Sequence, residues 1–233
     1  MTQDLANWTA RPVPPKTPMV GRTCRLETFT PDRVKALANA YETDANDAIW
    51  TYMPYGPFED HQSFLDFAKA TYFTSDPHFH LLIREADDAV LGVASLMRIT
   101  PQHGVIEVGH INYASFAQRS VMTTEAIYLF GCRVFDELGY RRFEWKCNNL
   151  NGASKRAAIR FGFTPEGVHR QLMVVKGVNR DTAWFSILDH EWSGVKAAFE
   201  RWLDPANFGA DGQQRTRLDT WSHREDVRPP EPT

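Results

Sequence analysis

Two neighbouring runs decide the fold: Glu107-Val108-Gly109-His110-Ile111-Asn112-Tyr113 and, beyond a short connector, Gln118-Arg119-Ser120-Val121-Met122-Thr123. The first belongs to a strand-like segment from Val105 to Tyr113. The second leads into Thr123 to Leu138, where Ala126, Phe130, Val134 and Leu138 recur every four residues and Gly139 supplies a stop. Arg141 to Cys147 then alternates, with Phe143, Trp145 and Cys147 on one side. A strand, a long helix and a second strand in this order predict a crossover within one sheet.

Upstream, Arg22 to Phe29 reads as a strand, and Thr30-Pro31-Asp32 as a helix start followed by Val34, Leu37, Ala38 and Tyr41. Asp60 to Ala70 reads as a second helix, and Phe79 to Arg84 and Val90 to Ile99 as strands with Asp87-Asp88 between them. Downstream, Asn151 to Phe161 reads as a short helix ended by Gly162. His169 to Val175 and Thr182 to Leu188 form two last strands joined through Lys176-Gly177-Val178-Asn179. The expected class is α+β, a mixed and mostly antiparallel central sheet with helices on both faces. The expected layout is an extended Pro-rich arm over 1–21, one domain over 22–203 and a polar, largely solvated tail over 204–233 that ends in Pro229, Pro230 and Pro232.

The chain has 233 residues, 42% hydrophobic and 24% charged, with seven Trp and fifteen Phe, enough for one large core. A net charge of -3 argues against a nucleic-acid partner. No apolar run is long enough for a membrane span, and Met1-Thr2-Gln3-Asp4-Leu5 lacks a signal-peptide pattern. Cys24, Cys132 and Cys147 are too scattered for a disulfide framework or a metal site, so reduced thiols, no bound metal and a cytoplasmic location are expected.

The element order and the second half of the chain resemble the GNAT acetyltransferase superfamily. Asn151-Gly152-Ala153-Ser154 with Ala157-Ala158, then Gly162-Phe163 and Glu166-Gly167, is similar to its RimJ/RimL-like branch. The resemblance runs from about Arg22 to Trp192. It implies an N-acetyltransferase that moves the acetyl group of acetyl-CoA, its cosubstrate, directly to a primary amine, either a protein N-terminus or a small molecule, in a monomer or homodimer.

On that resemblance, Gln118, Arg119, Ser120, Val121, Met122 and Thr123 sit where the pyrophosphate loop sits, at a helix start whose free N–H groups and dipole favour an anion. Arg119 and Val121 stand where the superfamily has glycines, which resist positive φ less than other residues do. Ile111, Asn112 and Tyr113 would offer backbone groups to pantetheine, Asn151 would hold pantetheine, and Ser154 would face the CoA sulfur and support the leaving thiolate. Asn151 or Asn149 also suits a helix cap.

Aminolysis needs a neutral amine and a base. Glu107 is the first candidate, at the position where several GNAT histone acetyltransferases carry theirs, with His110 and Glu144 as alternatives. A strand glutamate can equally serve in an ion pair. Cys147 lacks a paired His and base for nucleophilic work. Trp50 to Phe58 is an aromatic loop suited either to enclose an amine or to plug the core. A CoA-binding regulatory module without turnover is the competing class, and a Ser hydrolase is disfavoured because no Gly-x-Ser-x-Gly elbow is present.

Overall fold

The computed structural model describes residues 5–43 and 47–222. Eight strands form one sheet in the order β1-β2-β3-β4-β5-β6-β8-β7. They are β1 Met19–Val20, β2 Cys24–Thr28, β3 His78–Arg84, β4 Val90–Thr100, β5 Val105–Tyr113, β6 Arg142–Asn148, β7 Thr164–Val175 and β8 Val178–Leu188. Every neighbouring pair is antiparallel except β5 and β6. The parallel pair follows from the crossover through α3 (Val121–Gly131), whose last turns continue as a π-helical segment over Cys132–Glu137. The fold class is therefore the α+β sheet expected from the sequence.

Alternation in β3 divides the core. Phe79, Leu81 and Ile83 meet α1 (Pro31–Tyr41) and α2 (His61–Thr71) on one face, and Leu82 joins the cluster built on α3 on the other. The β7–β8 hairpin turns through Lys176 (φ 51) and Gly177 (φ 75), the two positive φ values that a two-residue hairpin of matching twist requires.

Beyond Leu188, where the last expected strand ends, the chain goes on into α5, Asp189–Leu203. Trp192, Val195, Phe199 and Trp202 fall three or four residues apart and are buried against α3 and α4 (Gly152–Arg160). Trp192 lies against Gly131, where a Cβ would come within 2.3 Å of the indole, and its Nε1 donates to Asp136 (2.9 Å).

Residues 5–18 of the arm form no helix or strand, and Met19–Val20 joins the sheet as β1. The buried Arg133 guanidinium donates to the carbonyls of Pro15, Thr17 and Pro18, and Tyr140 Oη donates to that of Pro12. The described part of the tail is mostly exposed but is anchored at a few points. Leu218 and Thr220 are buried, Asn207 bonds Thr216 through both backbone and side chain, and Trp221 Nε1 donates to the Ile159 carbonyl (2.8 Å). The segment lacks apolar periodicity because single anchors, not a regular face, dock it. Residues 1–4 and 223–233, including Pro229, Pro230 and Pro232, lie outside the described residues.

Candidate active site

β5 and β6 are joined only over Val105–Val108 and Arg142–Trp145. Beyond this the strands part, and a cleft of about 770 Å³ opens between them, with a second cavity of about 390 Å³ on its other side. Tyr52, Met53, Ile111, Trp145, Asn151 and Ser154 line both, so the two cavities meet at the parting of the strands.

A bulge in β5 sets this geometry. Between the pairs Val93–Asn112 and Ser95–Gly109, Ala94 alone opposes His110 and Ile111, and His110 takes φ 49. Beyond the bulge, Ala114 N donates to the Leu91 carbonyl, which fixes the strand's phase. The backbone of Asn112 thus turns to β4, and its carbonyl also accepts from Tyr41 Oη (2.7 Å). Alternation turns the backbone of Tyr113 to the gap, where Gln118 Nε2 donates to its carbonyl (3.0 Å).

The larger cleft is closed at one end by the start of α3. Ser120 caps the helix, its Oγ accepting from Thr123 N (3.3 Å). Arg119 adopts φ 60, so a non-glycine residue takes the left-handed conformation that the sequence reading held against it. Ile111, Asn112, Tyr113, Gln118, Arg119, Ser120, Val121 and Thr123 all line this cleft. Met122 lines neither cavity; it packs against the core and its carbonyl accepts from Cys24 Sγ (3.4 Å).

Arg160 completes the cleft. Its Nη1 donates to Thr124 Oγ1 (3.1 Å), and its guanidinium lies over the Trp202 ring at 5.0 Å. Phe208, Gln213 and Gln214, from the segment read as tail, form the far wall. Arg160 carried a weak signal as a cation in the last turn of a helix; the far wall carried none, because it arrives from distant sequence.

Asn151 and Ser154 stand at the junction. Asn151 Oδ1 caps α4 by accepting from Ser154 N (3.0 Å), which leaves its Nδ2 as the group it can offer the cleft. Ser154 Oγ accepts from Trp145 Nε1 (3.0 Å) and so keeps its own proton to donate. Cys147 is buried beside Ser154, and burial pushes its thiol up, away from a nucleophilic thiolate.

The smaller cavity holds Glu107. The parallel register sets Glu107 beside Glu144, and Lys146 Nζ bridges them at 2.9 and 2.7 Å. Arg98 Nε also contacts Glu107 Oε2 (3.1 Å), so both cations sit on this carboxylate. Burial raises the Glu107 carboxyl above its ordinary range, outweighing Lys146 and Arg98.

For Glu144, burial pushes the same way, but Lys146 and Arg142 outweigh it and hold the group below its ordinary value. Glu144 also lies outside both linings. His110 lines the cavity, stacks on Tyr55 and contacts its Oη through Nδ1 (3.2 Å). Burial, with Arg180 beside it, brings its pKa down to about 4, so it is neutral at pH 7.

The aromatic loop packs on the core and lines the cavities. Trp50 and Phe58 plug the core around Phe64, while Tyr52, Met53 and Pro54 line the cavities. Lys176 Nζ donates to the Trp50 carbonyl (2.9 Å) and Tyr52 Oη to that of Leu150 (3.1 Å), which ties the loop across the cleft.

The family model described as an acetyltransferase (GNAT) domain matches residues 24–164. The chain belongs to the GNAT acetyltransferase family. A GCN5-related N-acetyltransferase from Brucella melitensis is 44% identical, covers 92% of this chain and 97% of its own, and superposes with a TM-score of 0.89. A GNAT-family protein from Chromobacterium violaceum ATCC 12472 is 39% identical over 83% of this chain and 96% of its own, with a TM-score of 0.76.

YdaF of Bacillus subtilis (strain 168), provisionally named a ribosomal N-acetyltransferase, is 27% identical over 110 residues. That match spans 47% of this chain and about 60% of the length of YdaF. The RimJ/RimL-like resemblance read from the sequence agrees with these matches. Among the described residues no helix is long and apolar enough to cross a membrane. Nor does any group of three or more His, Cys, Asp or Glu there suit a metal ion.

Proposed function

We propose that this GNAT protein transfers the acetyl group of acetyl-CoA to a primary amine, on a protein N-terminus or a small molecule, by direct attack, and does so in the cytoplasm. The observation that carries this reading is the meeting of the two cavities at Ser154, Asn151 and Ile111, one lined by a helix start with Arg119 and Arg160 and the other by Glu107 and His110. The fit is chemical. A capped helix start, Arg119 and Arg160 suit phosphate. The unpaired edge of β5 suits amides.

When bound, acetyl-CoA supplies the activated acyl group. The amine nitrogen forms its bond to the carbonyl carbon as the carbon–sulfur bond breaks. Glu107 takes the amine proton, directly or through water, and Ser154 donates a hydrogen bond to the departing sulfur. Burial raises the Cys147 thiol, which disfavours a covalent route through it.

Acetyl-CoA at a hundredfold excess over its Kd should stabilise the protein by about 2.7 kcal/mol, which is roughly 5 to 10 °C in Tm for a chain of this size. A melting scan with CoA-release measurements on pooled amines checks this, and no shift at millimolar acetyl-CoA sinks the reading. Ser154→Ala should lower kcat by about tenfold to a hundredfold while leaving acetyl-CoA affinity near that of the parent, the size of one hydrogen bond to a charged sulfur. Turnover equal to the parent's would reduce Ser154 to a partner of Trp145.

A further inference from the structure

The smaller cavity is not neutral. Arg98, Lys146 and Arg180 line it against a single carboxylate, Glu107. Arg98 and Lys146 are held on that carboxylate, and Lys146 also lies over the Trp184 ring at 3.7 Å. Arg180 is different. It projects from β8 with no hydrogen bond or ion pair among the described residues, and its buried Nε lacks a partner. Glu107 and Arg98 act on it only as charges at a distance.

Only the Nε of Arg180 is buried and unpartnered, and the residue as a whole is half-buried, so a bound acid would give the guanidinium a partner that no side chain of the cavity supplies. Leu172, Met173 and Trp184 wall the same space and would screen such a pair from water.

We infer that the acceptor is an amine that also carries a carboxylate, and that Arg180 receives this carboxylate while Glu107 faces the amine. The inference rests on the transfer reading above and names the class of its acceptor. The cavity thus presents a cation for the acid and an anion for the nitrogen of one zwitterionic molecule. A free amino acid and a peptide whose N-terminal residues include Asp or Glu share this chemistry.

The test compares matched pairs: an amino acid with its amide, and a short peptide beginning with Asp with the same peptide beginning with Asn. CoA release is followed with each. The parent protein should favour the acid member in kcat/KM by about tenfold to a hundredfold, the range of one charge-assisted hydrogen bond. Arg180→Gln should collapse that ratio towards one, chiefly through the KM of the acid member, and Arg180→Lys should recover part of it. The pair that shows the larger ratio distinguishes the free amino acid from the peptide.

Binding of the same compounds, followed by tryptophan fluorescence in the parent and in Arg180→Gln, gives a readout independent of turnover. Amines acetylated with no preference for the acid, or a preference that survives Arg180→Gln, overturn the acceptor inference and leave the transfer reading standing. If CoA is released with none of them while the acids still bind through Arg180, the transfer reading fails and the acid site stands. Acid binding that is absent, or equal in the two proteins, overturns the site itself.

Discussion

Glu107→Gln is expected to lower kcat at pH 7 by about a hundredfold to ten-thousandfold, the usual contribution of a positioned base, with acetyl-CoA binding unchanged. The substitution keeps the side chain's shape in a buried strand position and removes the proton acceptor. Burial raises the Glu107 carboxyl, so in the parent the rate should rise with pH as this group loses its proton, and fall on the acid side where it is protonated and cannot accept. In the glutamine variant that limb should vanish. A slower alkaline rise should remain, set by the free amine's own deprotonation.

The measurement is a pH–rate profile of both proteins with one amine. Parent-like turnover at pH 7 would assign proton removal to His110 or to water. A loss without alkaline recovery would make Glu107 an ion-pair partner that only positions Lys146 and Arg98.

The second large effect is on stability. Glu125, buried in α3, accepts from the backbone N–H groups of Arg22 (2.7 Å), Thr23 (2.8 Å) and Cys24 (3.2 Å), and from the Thr23 hydroxyl. One carboxylate thus pins the turn between β1 and β2 to the helix that forms the mouth of the cleft. Glu125→Ala would leave several donors unpaired beside a new cavity, at a cost of about 3 to 5 kcal/mol. Urea denaturation followed by tryptophan fluorescence measures this. Because α3 opens the proposed phosphate site, acetyl-CoA affinity should weaken as well. A loss under 1 kcal/mol would mean that water replaces the carboxylate.

The crossover around residues 105–147 was legible because its periods change cleanly from strand to helix and back. The helix over 189–203 is equally patterned in Trp192, Val195, Phe199 and Trp202, but no turn residue separates it from the strand that ends at Leu188. The left-handed residues His110 and Arg119 gave no warning, since neither is a glycine and the surrounding structure alone imposes their conformation.

The site divides in the same way. Residues 118–123 follow from a helix start, a local signal. Arg160, Phe208 and Gln214 meet at one cleft only after the chain has folded, and Lys146 reaches Glu107 only through the register of a parallel pair. Such long-range meetings leave no spacing to read in a single sequence.

The short seam between β5 and β6 has a mechanical consequence. Five strands lie on one side of it and three on the other, and four residue pairs are all that stitch these two leaves together through the sheet. A cosubstrate lying along the open edge would act as a further thread in that stitching. On this view acetyl-CoA is both reagent and fastener, and the stiffness of the whole sheet would rise as the site fills and fall as CoA departs.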